Sequence, residues 1–202
     1  MRTLAVKGLR MKKLALALSL SAALAGCVSL GKDPPPTLLT LTPAVTAPAG
    51  LSATGKPADA LTVIEPDAPQ KLDVARVPVQ VDGATVAYLK DAVWVEKPAR
   101  LFARLISETI RAKQTRMVIA GSDIRFAAAT KLSGQLTEMG YDAQSSSVVV
   151  RFDAVLQQPD GQVMTRRFEA TVPGVQATPE AVGPALNEAA NKVAADVAAW
   201  IG

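Results

Sequence analysis

The chain has 202 residues, 49% of them hydrophobic, with 22 basic and 18 acidic side chains, one cysteine and no histidine. The missing histidine removes the commonest general base and metal ligand, and a single cysteine cannot form a disulfide within its own chain. No glycine-rich phosphate loop of either standard spacing occurs, so an enzyme is a poor reading and no cofactor or metal site is expected.

The first residues carry Arg2, Lys7, Arg10, Lys12 and Lys13, then turn apolar from Leu14 to Ala25 and end in Leu24-Ala25-Gly26-Cys27. A basic start, a short apolar run and small residues are the layout of a secretory signal. The cysteine after Leu-Ala-Gly resembles a bacterial lipobox, in which the thiol receives a diacylglycerol and the peptide before it is cut away. Residues 1–26 are therefore read as a lipoprotein signal peptide and Cys27 as the lipidation site. Each buried acyl methylene contributes roughly 0.8 kcal/mol, so three chains make a lasting membrane anchor. Cleavage also changes the charge. Five basic and no acidic side chains precede Cys27, which leaves 17 basic against 18 acidic, a net of −1. No concentrated basic face remains, and nucleic acid is excluded as a partner. No later apolar run reaches the roughly 18 residues that a span needs.

Residues 27–60 follow as a lipidated tether. Pro34-Pro35-Pro36, Pro43, Pro48, Gly50, Gly55 and Pro57 lie among Ala, Ser and Thr, a composition that favours an extended chain. Leu38-Leu39-Thr40-Leu41 is the exception, an apolar run able to pair as an edge strand on the domain. Residues 61–202 are read as one α+β domain that folds alone, so removing the segment before Leu61 is expected to cost little stability.

Within the domain, Leu61-Thr62-Val63-Ile64 alternates up to Pro66 and predicts a strand. Lys71 to Val81 alternates too, with Pro78 marking an edge or a bulge. Asp82-Gly83 signals a turn before a strand from Thr85 to Val95. Pro98 opens a helix in which Leu101, Phe102, Leu105, Ile106, Thr109 and Ile110 make one apolar face. Met117 to Ala120 is a short strand before Gly121-Ser122-Asp123. Three strands follow: Lys131–Tyr141, Ser147–Gln157 and Gln162–Val172. Pro159-Asp160-Gly161 joins the last two as a hairpin, so the three form an antiparallel meander. Thr178-Pro179-Glu180 caps a final helix, with Gly183-Pro184 as the other possible start. Its stripe of Val182, Leu186, Ala189, Val193, Val197 and Trp200 suits close packing on a sheet. The expected fold is α+β, an antiparallel sheet of about five or six strands with two helices on one face.

The remaining candidates for chemistry have plain structural readings. Ser145-Ser146-Ser147 reads as a hairpin loop with no base near it. Arg166 and Arg167 are neighbours on a strand, so their side chains point to opposite faces and make no single anion patch. Trp94 and Trp200 read as core.

The order of motifs resembles the ABC-type transport auxiliary lipoprotein family. A lipobox is followed by a short Leu-Thr-Leu strand. Tyr88 to Trp94 leads into Glu96-Lys97-Pro98 and an amphipathic helix. The meander carries Val148 to Leu156, then Arg166 to Ala170 and Val172-Pro173. Ala185 to Ala190 and Trp200 close the chain. Departures are Leu38-Leu39, where many relatives have tyrosines, and the strand around Pro78. The resemblance implies an accessory subunit of an ABC-type lipid transport system whose partner carries mammalian-cell-entry (MCE) domains, with permease and ATPase supplied by other subunits. Val28 follows the cysteine. The enterobacterial sorting rule retains a lipoprotein in the inner membrane when aspartate stands there, so the outer membrane, periplasmic face, is implied. Two other readings stand beside this one: a lipoprotein regulator of a cell-wall synthase, and a carrier that holds lipid in its own cavity. The sequence leaves a homo-oligomer open.

Overall fold

A computed structural model describes residues 37–56, 59–114, 116–119 and 128–202. The signal peptide, Cys27 and the Gly121-Ser122-Asp123 turn lie outside the described residues. The strands are β1 (Leu61–Val63), β2 (Arg76–Gln80), β3 (Val86–Val93), β4 (Val118–Ile119), β5 (Thr130–Asp142), β6 (Ser147–Gln157) and β7 (Val163–Val172). The helices are α1 (Pro98–Lys113) and α2 (Pro179–Ile201), with a short 3-10 turn over Gln70–Leu72.

The meander forms as the alternation predicts. β5 pairs antiparallel with β6, and β6 with β7. At the β6–β7 turn, Gln158 N–H donates to Gln162 O at 2.8 Å and Gly161 N–H to Gln158 O at 3.0 Å. The α+β class holds, while the sheet has seven strands and is mixed. β1 and β2 both run parallel to β5, and β4 runs parallel to β1. β1 and β2 are two parts of one route along the same edge of β5. Leu61 lies beside Thr130, Asp67 bridges Gln135, and Val79 lies beside Tyr141. The 3-10 turn interrupts that route between Asp67 and β2. Pro78 marks a register shift, as expected, but on a strand paired on both sides, with β3 and β5. A parallel pair needs a long crossover, and β3, α1 and β4 supply it.

Both helices cover one face of the sheet. Phe102 of α1 meets Phe152 of β6 edge to face at 5.3 Å, and Trp200 of α2 lies against Phe168 of β7 at 5.5 Å. Phe152 and Phe168 are cross-strand partners, so these contacts share a face. The core between the layers holds Leu72, Trp94, Phe102, Leu105, Leu136, Met139, Phe152, Leu156 and Leu186, all essentially buried. α2 starts at Pro179, and Gly183-Pro184 falls inside it. Thr178 occupies the cap position without making a side-chain cap bond.

The segment before the domain docks on it. Leu39 bridges Trp94: Leu39 N–H donates to Val93 O at 2.7 Å and Val95 N–H donates to Leu39 O at 2.9 Å. The contact continues well beyond Leu41. Thr42 and Ala44 N–H donate to the Asn187 and Asn191 side chains of α2, and Ala47 N–H donates to Glu108 of α1. Extended backbone thus crosses the outer surface of both helices.

Candidate functional site

The sheet face away from the helices is open to solvent, and its charges form rows. Side chains of successive residues alternate faces. In β6 this places Val148, Val150, Phe152, Ala154 and Leu156 toward the helices and Arg151 and Asp153 on the open side. A bulge in β5 between Leu136 and Glu138 shifts its parity. That bulge keeps Met139 and Tyr141 in the core and turns Glu138 outward, opposite Arg151.

The rows alternate in sign across the strands. Glu169 of β7 pairs with Arg151 of β6, Arg151 stands opposite Glu138 of β5, and Glu138 takes Lys71 Nζ at 2.7 Å. One row along, Arg167 makes a forked pair with Asp153 at 2.6 and 2.7 Å. Arg166 points to the other face, where its guanidinium sits 5.0 Å over the Phe168 ring. The two arginines therefore separate as the strand geometry requires. A cleft of about 390 Å³ opens on the charged face, bounded by Lys71, Glu138, Arg151, Gln80, Asp82 and Asp142 among others.

Three aspartates at this face, Asp153, Asp142 and Asp82, are stabilised as anions. The Arg167 guanidinium holds Asp153 below the ordinary 3.8, against a smaller opposing effect of burial. The Ser145 hydroxyl and the Gln144 N–H do the same for Asp142, and the Ala84 N–H, then Thr85, for Asp82. Asp153 reciprocally raises the pKa of Arg167. A depressed folded-state pKa adds stability that is present above the unfolded value and lost as pH falls toward the folded one. Thermal stability is thus expected to hold from neutrality to about pH 5 and to decline below it. Asp153→Asn should flatten that acid decline. Melts across this range check it, and parallel curves for the variant and the native chain would remove Asp153 from the account.

The polar side chains of this face are engaged with one another and with nearby backbone. Ser145 sits in the β5–β6 turn, its hydroxyl bonded to Asp142 and Ser147. Each of the three aspartates is tied to its own donors, and none is poised near neutrality to move a proton. Among the described residues no three His, Cys, Asp or Glu side chains are grouped to hold a metal ion. Trp94, 2% exposed, is core, and its Nε1 has no hydrogen-bond partner. Among the described residues no helix is long and apolar enough to cross a membrane. Lys71, Glu138 and Glu169 were not evident as site residues in the sequence, because their partners depend on strand register.

A two-helix layer on a mixed seven-stranded sheet with a charged open face defines a small α+β domain. The chain belongs to the ABC-type transport auxiliary lipoprotein component family, whose model matches residues 39–198. The match begins at the residue that first pairs with the domain. Solved structures share the fold. A Xanthomonas campestris protein is 20% identical with a TM-score of 0.65, over 82% of this chain and 94% of that one. A second, described only as an uncharacterized protein, is 13% identical with a TM-score of 0.62, over 82% of this chain and all of that one. Comparison with curated proteins gave no match.

Proposed function

We propose that this lipoprotein is anchored in the outer membrane, on its periplasmic face, by lipid on Cys27. Its domain serves as a non-catalytic accessory subunit of an ABC-type lipid transport system whose partner subunit carries MCE domains. Family membership carries this reading. The lipobox supplies the anchor, and the tethered geometry raises the domain's local concentration at one membrane. The energy for transport comes from other subunits, since this chain has no nucleotide-binding loop. A lipid carrier fits less well. Trp94, Phe102, Phe152 and Leu136 fill the space between helices and sheet, and the cleft on the other side is bounded by the charged groups of Lys71, Asp82, Glu138, Asp142 and Arg151.

Crosslinking in cells, followed by identification of what co-purifies, tests the partner. Recovery of an MCE-domain subunit is the expected result, and recovery of a cell-wall synthase in its place would overturn the transport reading. Mass spectrometry of the native amino-terminal peptide tests the anchor. Acyl mass on Cys27 is expected, and an unmodified thiol in the exported chain would refute it.

A further inference from the structure

Among the described residues, the outer edge of β7 has no partner strand, although β7 runs ten residues. Its hydrogen-bond polarity follows from the hairpin. Gln158 and Gln162 form a bonded pair at the turn, and bonded and non-bonded pairs alternate along an antiparallel ladder. The β6–β7 register continues without a shift. Met164, Arg166, Phe168, Ala170 and Val172 therefore turn their backbone groups toward β6. Val163, Thr165, Arg167, Glu169 and Thr171 turn theirs outward, and all five are exposed.

We propose that this edge pairs with the same edge of a second copy of the chain, antiparallel, about a twofold axis at Phe168. The charges choose the register. Centring the pair on Arg167 or Glu169 sets like charges opposite each other, which is destabilising. Centring it on Arg166 or Ala170 leaves both charges facing neutral residues or the strand end. Centring on Phe168 sets Arg167 opposite Glu169 of the second copy, and Glu169 opposite its Arg167. Thr165 then faces Thr171. Every one of these opposed residues has outward backbone groups, so each pair exchanges two N–H···O bonds. Charged residues on an edge normally repel a second strand; here their order makes the strand complementary to itself.

The pairing also extends the rows already present. Asp153 and Arg167 of one copy would continue into Glu169, Arg151, Glu138 and Lys71 of the other, with signs alternating throughout. A twofold axis normal to the sheet keeps both helix layers, with residues 37–47 lying across them, on the same side. That arrangement is compatible with two chains held at one membrane, and the shared anchoring, which rests on the proposed function, raises their effective concentration.

The test places Thr165→Cys and Thr171→Cys together in the full-length chain in cells, with oxidation and non-reducing electrophoresis. The two positions are about 20 Å apart along one strand, too far to join within a chain. A covalent dimer is expected from the double variant and from neither single one. Adding Arg167→Glu should abolish it, and adding Glu169→Arg to that variant should restore it, although both changes break pairs within the chain. A dimer from the single variants, none from the double, a band insensitive to charge, or crosslinking to a different protein would each overturn the proposal. Light scattering on the detergent-extracted native chain gives an independent measurement. A mass of one chain at all concentrations would overturn it as well.

Discussion

Gly134→Ala is expected to remove much of the domain's stability, about 4 kcal/mol or more, from a total of roughly 5–15 kcal/mol for a domain of this kind. Two effects coincide at this residue. Its φ is +145°, a conformation that side-chain-bearing residues rarely adopt. A Cβ added there would lie 2.0 Å from Asp153 O and 3.0 Å from Ala154 Cα, both backbone atoms of the central strand β6. Neither can yield without parting β5 from β6. The same residue also anchors β5's other side, since Asp67 N–H donates to Gly134 O at 3.0 Å and Leu136 N–H to Asp67 O at 2.8 Å. Gly161 provides the control. It has φ +86° with open space around it, so Gly161→Ala carries backbone strain alone, about 1–3 kcal/mol. Denaturant midpoints followed by circular dichroism would compare the two. Equal losses would mean that the close approach to β6 contributes nothing.

How much of this was legible in the sequence depends on whether a feature is local. β6 starts and ends where the alternation does, because one face is buried along its whole length. α1 is equally plain, with Leu101, Phe102, Leu105, Ile106, Thr109 and Ile110 all buried as the helical period requires. The parallel pairings were not legible. β1 has three residues and β4 two, and nothing within them specifies that β4 pairs with β1 or that β1 pairs with β5, which begins about seventy residues on. Glu138 was hidden for another reason. Continuing the alternation from Leu132 and Leu136 would turn it toward the helices, and the bulge reverses that. The charged rows follow the same logic. The pattern puts Arg151 and Asp153 on the outer face, but their pairing with Glu169 and Arg167 exists only once register is fixed.

Removing the chain before Ala60 is expected to lower stability by about 2–4 kcal/mol, on the scale of burying one or two leucine side chains, and the melting temperature by on the order of 10 °C. Composition suggests a smaller loss, because the segment offers few apolar groups. The contacts argue otherwise. Leu39 and Leu41 pack against the core, and Leu39 covers the strand end that carries Trp94. The polar contacts come from Asn187, Asn191 and Glu108, on helix surfaces that a hydrophobic stripe leaves unassigned. Leu39 also occupies the space a side chain at position 183 would use, its Cδ2 lying 2.8 Å from where a Cβ on Gly183 would stand. This permits a test with opposite signs. Alanine is the better helix former by about 1 kcal/mol. In a chain beginning at Ala60, Gly183→Ala should therefore stabilise α2 by up to that amount. In a chain beginning at Ser29 the new methyl group must displace Leu39, and the gain should vanish or reverse. Thermal melts of the four chains measure the coupling directly. If the shorter chain melts with the longer one and Gly183→Ala acts alike in both, the segment contributes nothing to the fold; if the shorter chain fails to fold, the docked segment is an integral part of the domain that begins at Leu39.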